Sequence, residues 1–216
     1  MTQPRTRQRG KLAPDPDVRR VILAAASKSL REQGVRGLSI ATVLDRAKLG
    51  TRAFYRHFES KDELVTAVFL EMARTEVRRL RRKMAAADGP VHAVVAWIDG
   101  RLDLAFDETI KSGLRDLSME AQSQMFASPE LISPAYAEML APLVDQLQCG
   151  LNDGVFTDID PVTDAQTIQG AVWTSTERHW ATKDCDHDQV RDHLVRFCLR
   201  GLGVSQKTIR DCTRRQ

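Results

Sequence analysis

The sequence predicts an all-α chain of about nine helices, and three observations predict it. Apolar residues recur at helical spacings along most of its length. No segment alternates with period two for long enough to make a strand. Asp-Pro, Ser-Pro and Gly punctuation falls between the periodic runs, where helices start and stop.

Each element follows from that punctuation. Asp15-Pro16 is an N-cap and first helical residue, and Val18, Val21, Ile22, Ala25, Ala26 and Leu30 repeat behind it until Gly34. Ser39 caps a second, short helix with Ile40, Val43, Leu44 and Ala47 on its inner side. Lys48-Leu49-Gly50 is a three-residue turn, and Thr51 to Phe58 is a third helix burying Phe54 and Phe58. Ser60 with Glu63 three residues on forms a capping box. It opens a long fourth helix through about Ala86, with Leu64, Val68, Met72 and Leu80 facing inward, ended by Asp88-Gly89-Pro90. Val91 to about Asp107 is the fifth helix, and Glu108 to Ala127 is less regular. Ser128-Pro129 and Ser133-Pro134 are both cap signals for a helix ending at Gly154. Asp160-Pro161 opens another, through about Thr182, and Asp186 or Asp188 a last one, ending near Gly201-Leu202-Gly203. Residues 1–14 lack apolar periodicity and make a disordered basic arm (Arg5, Arg7, Arg9, Lys11), and the polar stretch from Ser205 is expected to fray.

Composition narrows the function classes. With 42% hydrophobic and 28% charged residues in 216, the chain is globular and fits one or two domains. No apolar run approaches the length of about 20 residues that a membrane span needs. The basic N-terminus lacks the apolar stretch of a secretory signal. The four cysteines, Cys149, Cys185, Cys198 and Cys212, show no metal-ribbon or disulfide spacing. The expectation is a cytoplasmic chain with reduced thiols, no membrane and no cofactor. The net charge of +3 hides an asymmetry: residues 1–83 hold 20 Lys/Arg against 9 Asp/Glu, and the remainder holds 12 against 20. A basic segment of net +11 joined to an acidic one of net −8 points to a polyanionic partner for the first and a different task for the second.

Two short helices joined by a tight turn, behind a first helix, make a helix-turn-helix. The outward side of the second carries Thr51, Arg52, Tyr55 and Arg56, with His57 at its flank. A guanidinium suits guanine O6 and N7, while hydroxyls suit phosphates or a thymine methyl. Lys61 begins the next helix, where backbone N–H groups and the helix dipole also favour a phosphate.

The stretch from Ser39 to Leu64, above all Phe54-Tyr55-Arg56-His57-Phe58 followed by Ser60-Lys61 and Leu64, resembles the DNA-binding signature of the TetR (tetracycline-repressor-like) transcriptional regulators. The close match covers about residues 15–65. Beyond it, only length, helical organisation and the Gly154-Val155-Phe156 to Asp160-Pro161 phrase agree. The resemblance implies an all-helical homodimer, a palindromic operator in double-stranded DNA, and a larger C-terminal domain that binds a small-molecule effector. It puts base reading on Thr51, Arg52 and Tyr55, and phosphate contacts on Ser39, His57 and Lys61. Two departures concern the turn: Lys48 stands where the family has Gly, and Gly50 where it has Ser or Thr. If Lys48 adopts left-handed dihedrals, the cost is about 1 kcal/mol. The implied organisation is an arm (1–14), a helix-turn-helix domain (15–62), a ligand-binding and dimerisation domain (63–204) and a flexible tail (205–216).

For an effector pocket the candidates are Trp97, Phe106, Met119, Met125, Phe126, Tyr136, Met139 and Trp173, although a helical bundle needs such residues as core in any case. For a dimer contact they are Ile168, Val172 and Ser175, then Leu194, Phe197 and Cys198, on the apolar stripes of the last two long helices. Which side of each stripe faces its own core stays open. Asp184-Cys185-Asp186-His187-Asp188 contains metal-ligand types, but neighbours in a loop do not converge on one ion, so no metal is expected. No nucleophile–base arrangement, glycine-rich phosphate loop or paired carboxylate appears, so catalysis is not expected. The expected function is a DNA-binding regulator, a repressor released by its effector. The alternative is a helical enzyme or small-molecule carrier with an incidental helix-turn-helix, which would show no sequence-selective DNA affinity.

Overall fold

The computed structural model describes residues 15–107 and 112–213. The basic arm at Arg5, Arg7, Arg9 and Lys11 lies outside the described residues. The described residues form ten helices and no strand: α1 (Pro16–Gly37), α2 (Ile40–Ala47), α3 (Thr51–His57), α4 (Lys61–Met84), α5 (Pro90–Phe106), α6 (Ser112–Ala127), α7 (Pro129–Asn152), α8 (Pro161–Thr182), α9 (His187–Gly201) and α10 (Gln206–Thr213). No helix among them is long and apolar enough to cross a membrane. The chain divides into two compact units between Val68 and Phe69, within α4.

The first unit is built from its caps inward. The Asp15 carboxylate accepts from the Asp17 N–H at 2.9 Å, and Pro16 opens α1 without leaving an orphan donor. Gly34, with φ 66°, breaks the helical dihedrals near its end, a conformation glycine takes freely. Ile22, Ala26, Leu30, Val43, Leu44, Phe54, Phe58, Leu64 and Val65 are buried. Arg46 ties α2 to α1 by donating to Ser29 Oγ (3.2 Å) and the Glu32 carboxylate (2.6 Å).

In the second unit α5 is the central element. It is apolar on nearly every side, which is the pattern of a helix buried all round, and it packs on α7, α8 and α9. Val94, Trp97, Ile98 and Leu102 meet Leu143 and Leu147 of α7, Ile168 and Val172 of α8, and Leu194, Val195 and Leu199 of α9 in one core. Phe156 joins that core over Gly150, where a Cβ would stand 2.2 Å from the Phe156 ring.

Two boundaries differ from the expectation. Helix α7 runs from Pro129 straight through Pro134 and Pro142, so Ser133-Pro134 is not a second start. The stretch from residue 205, expected to fray, forms α10. Ser205 Oγ caps it by accepting from the Thr208 N–H at 3.3 Å, and Ile209 and Cys212 are buried in the core. Two apolar positions three apart are enough to dock a short helix, and the basic residues around them hide the signal. Between α8 and α9 the acidic turn is a cap: the Asp186 carboxylate accepts from the Gln189 N–H at 2.9 Å. Among the described residues no group of three His, Cys, Asp or Glu could hold a metal ion.

Candidate nucleic-acid interface and internal chamber

Helix α3 owes its position to its own sequence. Phe54 and Phe58 are 0% and 1% exposed, with ring centroids 5.7 Å apart, and the Arg19 guanidinium lies 5.2 Å from the centre of the Phe58 ring. Anchored from that side, α3 leaves Thr51, Arg52 and Arg56 exposed, and Tyr55 60% exposed with its ring edge-on to Phe54. Two cations, a hydroxyl and a phenol thus share the free surface of one turn-and-a-half of helix.

The turn before α3 is set by Lys48, which takes left-handed dihedrals (φ 55°, ψ 42°). Its N–H donates to the Asp45 carbonyl at 3.1 Å, and the Leu49 N–H to the Leu44 carbonyl at 3.0 Å, closing the end of α2. Gly50 precedes α3 with no side-chain cap.

The remaining sequence-predicted contact residues are placed as follows. Ser39 is exposed, and its Oγ accepts from the Thr42 N–H at 3.1 Å as the cap of α2. Lys61 is half-buried at the first residue of α4. That start is stapled by Ser60 Oγ, which accepts from the Glu63 N–H at 3.1 Å. The Glu63 carboxylate reaches back to the Glu59 N–H, one residue beyond the usual capping-box partner. His57 is half-buried, and both of its ring nitrogens are shielded and unpartnered. The imidazole must turn outward to meet a phosphate.

The second unit holds a chamber of about 50 Å³ walled by α4, α5, α6, α7 and α8. Of the residues expected at a pocket, Met125, Tyr136, Met139 and Trp173 line it. Trp97 is fully buried in the core. Phe106 packs beside that core with its ring 4.0 Å from His179. Met119 and Phe126 are exposed, on a shallow groove between α6 and α8 with Trp173 and Trp180.

Sequence reasoning missed the polar wall. Glu76 and Arg101, 4% and 5% exposed, face the chamber and pair at 2.8 Å. Burial alone would raise the Glu76 carboxyl, but Arg79 and Arg101 hold it below the ordinary carboxylate value. Burial lowers the Arg101 pKa against the pull of Glu76. Burial likewise pushes the Tyr136 hydroxyl up. The available signal was Arg101 itself, a charge in the middle of an apolar helix, which has to find a buried partner.

The residues expected at a dimer contact divide. Ile168, Val172, Leu194 and Cys198 lie in the chain's own core, where burial pushes the Cys198 thiol up to about 12. Ser175 is half-buried, and Phe197 is 58% exposed. A groove beside Phe197 is lined by Thr167, His193, Arg196 and Gly201.

Residues 22–68 match the family model of bacterial regulatory proteins, tetR family. An uncharacterised HTH-type transcriptional regulator of Mycobacterium tuberculosis and one of Mycobacterium bovis are each 38% identical over 55 residues, 26% of this chain and 26% of theirs. The chain thus aligns with about a quarter of the length of these relatives. Over longer spans the likeness is to solved structures. A Rhodococcus protein assigned to the TetR family has a TM-score of 0.68 at 17% identity, covering 87% of this chain and 99% of that one. RolR in complex with resorcinol has 0.65 at 19% identity, covering 93% and 94%. Reduced NemR of Escherichia coli has 0.62 at 18% identity, covering 82% and 95%. At such identities the likeness speaks for the fold alone. The matching segment contains α2, the left-handed turn, α3 and the start of α4, and this segment of the chain is a helix-turn-helix domain similar to that of the tetR family of bacterial regulatory proteins.

Proposed function

We propose that the chain is a repressor that binds a palindromic operator as a homodimer and leaves it when a small molecule occupies the chamber in its second unit. The observation that carries this reading is the two-sidedness of α3: two buried phenylalanines behind, and Thr51, Arg52, Tyr55 and Arg56 in front. Two copies of that helix enter successive major grooves about 34 Å apart, reading bases with Arg52 and Tyr55. Ser39 and Lys61 take phosphates. The net charge of +11 in residues 1–83 supplies the salt-dependent part of the affinity.

The dimer forms across the outward sides of α8 and α9, where Phe197 stands exposed beside Gly201. The chamber is the effector site. RolR, of the same fold, is a protein solved with a small aromatic diol. Helix α4 contributes Met72 and Glu76 to the chamber and has Lys61 as its first residue. Effector binding releases DNA to the extent that it prefers the dimer whose α3 helices are wrongly spaced.

Selection of bound duplexes from a random pool tests the proposal. The expected result is an inverted repeat whose half-sites lie one helical turn apart. Binding without any sequence-selective component would overturn it and favour a carrier or enzyme with an incidental helix-turn-helix.

A further inference from the structure

The wall of the chamber carries an unbalanced set of charges. Glu76 is already satisfied by Arg79, whose Nε donates to one carboxylate oxygen at 2.9 Å and whose Nη2 donates to the other at 2.8 Å. Asp103 accepts from Arg79 Nη1 at 2.9 Å and pairs with Lys83 Nζ at 2.7 Å. Two carboxylates therefore serve three cations, and the surplus cation is Arg101. It adds a third bond to Glu76 through Nη1 at 2.8 Å and donates from Nε to Gln169 Oε1 at 3.3 Å. A buried guanidinium in excess of its carboxylates favours a further negatively charged acceptor.

A second observation points into the same space. Trp173 is 8% exposed, lines the chamber, and buries its indole N–H with no acceptor. It stands four residues after Gln169 on α8, so on the same face as the residue that Arg101 holds. Tyr136 is also in the lining. A surplus buried cation and an indole N–H without an acceptor thus share a lining that also includes Met72, Met125, Met139 and Ile132.

We propose that the chamber binds a small apolar monocarboxylate, with its carboxylate against Arg101 and the Trp173 N–H and its hydrocarbon among the methionines. One negative charge neutralises the surplus cation, and a carboxylate offers only acceptors, which is what the Trp173 N–H lacks. A dicarboxylate would bury a second, unpaired charge among methionines. The chamber's 50 Å³ is about a third of the roughly 150 Å³ of a cavity that takes benzene, so isobutyrate, with as many heavy atoms as benzene, and the larger benzoate enter as the methionines yield. The proposal rests on the chamber being the effector site.

Titration of the full chain with isobutyrate, benzoate and benzamide, followed by calorimetry and by tryptophan fluorescence, tests it. The expected result is one site per chain for either carboxylate, at least tenfold tighter than for benzamide, the neutral isostere of benzoate. Trp173→Phe removes the indole N–H together with part of the ring and is expected to weaken carboxylate binding about tenfold while benzamide binding changes less; Tyr136→Phe, which removes only a hydroxyl, is the second variant. Equal binding of benzamide and benzoate would overturn the carboxylate assignment while leaving the chamber a ligand site. Carboxylate binding indifferent to both variants would place it elsewhere on the surface and overturn the assignment too. No binding of any of the three would overturn both the assignment and the effector chamber.

Discussion

Tyr55 and Glu76 show how little a residue's type reveals of its task. Tyr55 follows Phe54 directly, yet one ring is 60% exposed and the other is sealed, because neighbours on a helix point about 100° apart. Tyr55→Ala is expected to lower operator affinity by about 1–3 kcal/mol, tenfold to a hundredfold, with an unchanged thermal midpoint. Normal affinity in a gel-shift titration of the folded variant would remove Tyr55 from the interface. Glu76 is the opposite case, a carboxylate kept charged in a nearly closed wall by two guanidiniums. Its pKa is held below the ordinary 4.5 in the folded chain. The unfolded chain therefore takes up the proton first as pH falls, and the stabilisation is complete above about 4.5 and lost on the way down to the folded value. Glu76→Gln leaves Arg79 and Arg101 short of a charge, and about 3 kcal/mol of stability should go with it at neutral pH. Urea unfolding of the two proteins at pH 7 and pH 4 is expected to show the gap narrowing at the lower pH.

At the scale of an element, the turn between α2 and α3 has a built-in cost. Lys48 holds φ 55°, where an L side chain crowds its own backbone. Lys48→Gly is expected to stabilise the first unit by about 1 kcal/mol, seen as a rise in denaturant midpoint with unchanged slope. A fall would mean that the lysine side chain contributes more than its dihedrals cost. Helix α3, with seven residues and an uncapped start, could not persist alone, and packing by Phe54 and Phe58 holds it. The same reasoning explains the helix from Gln206, which periodicity does not single out and which Ile209 and Cys212 nonetheless dock.

For the whole molecule, Phe197 is the exposed ring that sets the prediction. A ring 58% exposed, beside a groove and a bare glycine, is expected to be an interface between copies. Phe197→Arg should convert the proposed dimer to a monomer in sedimentation equilibrium, with far-ultraviolet circular dichroism unchanged. If the proposed operator has two half-sites engaged together, binding should fall far more than any single contact explains. A dimer that survives the substitution would move the contact off this face.

The sequence by itself determined the all-helical class, the boundaries marked by Asp15, Ser39, Ser60, Asp160 and Asp186, and the two sides of α3. These depend on caps and on spacing of three and four residues, which are local. Tertiary structure alone decided which side of α8 and α9 turns inward, so that Ile168, Val172, Leu194 and Cys198 went to the core and Phe197 did not. It also decided that Glu76, Arg79, Arg101 and Gln169 meet on one chamber wall. Those partners come from three helices as far as 93 residues apart along the chain, and no local pattern records which buried charge another will find.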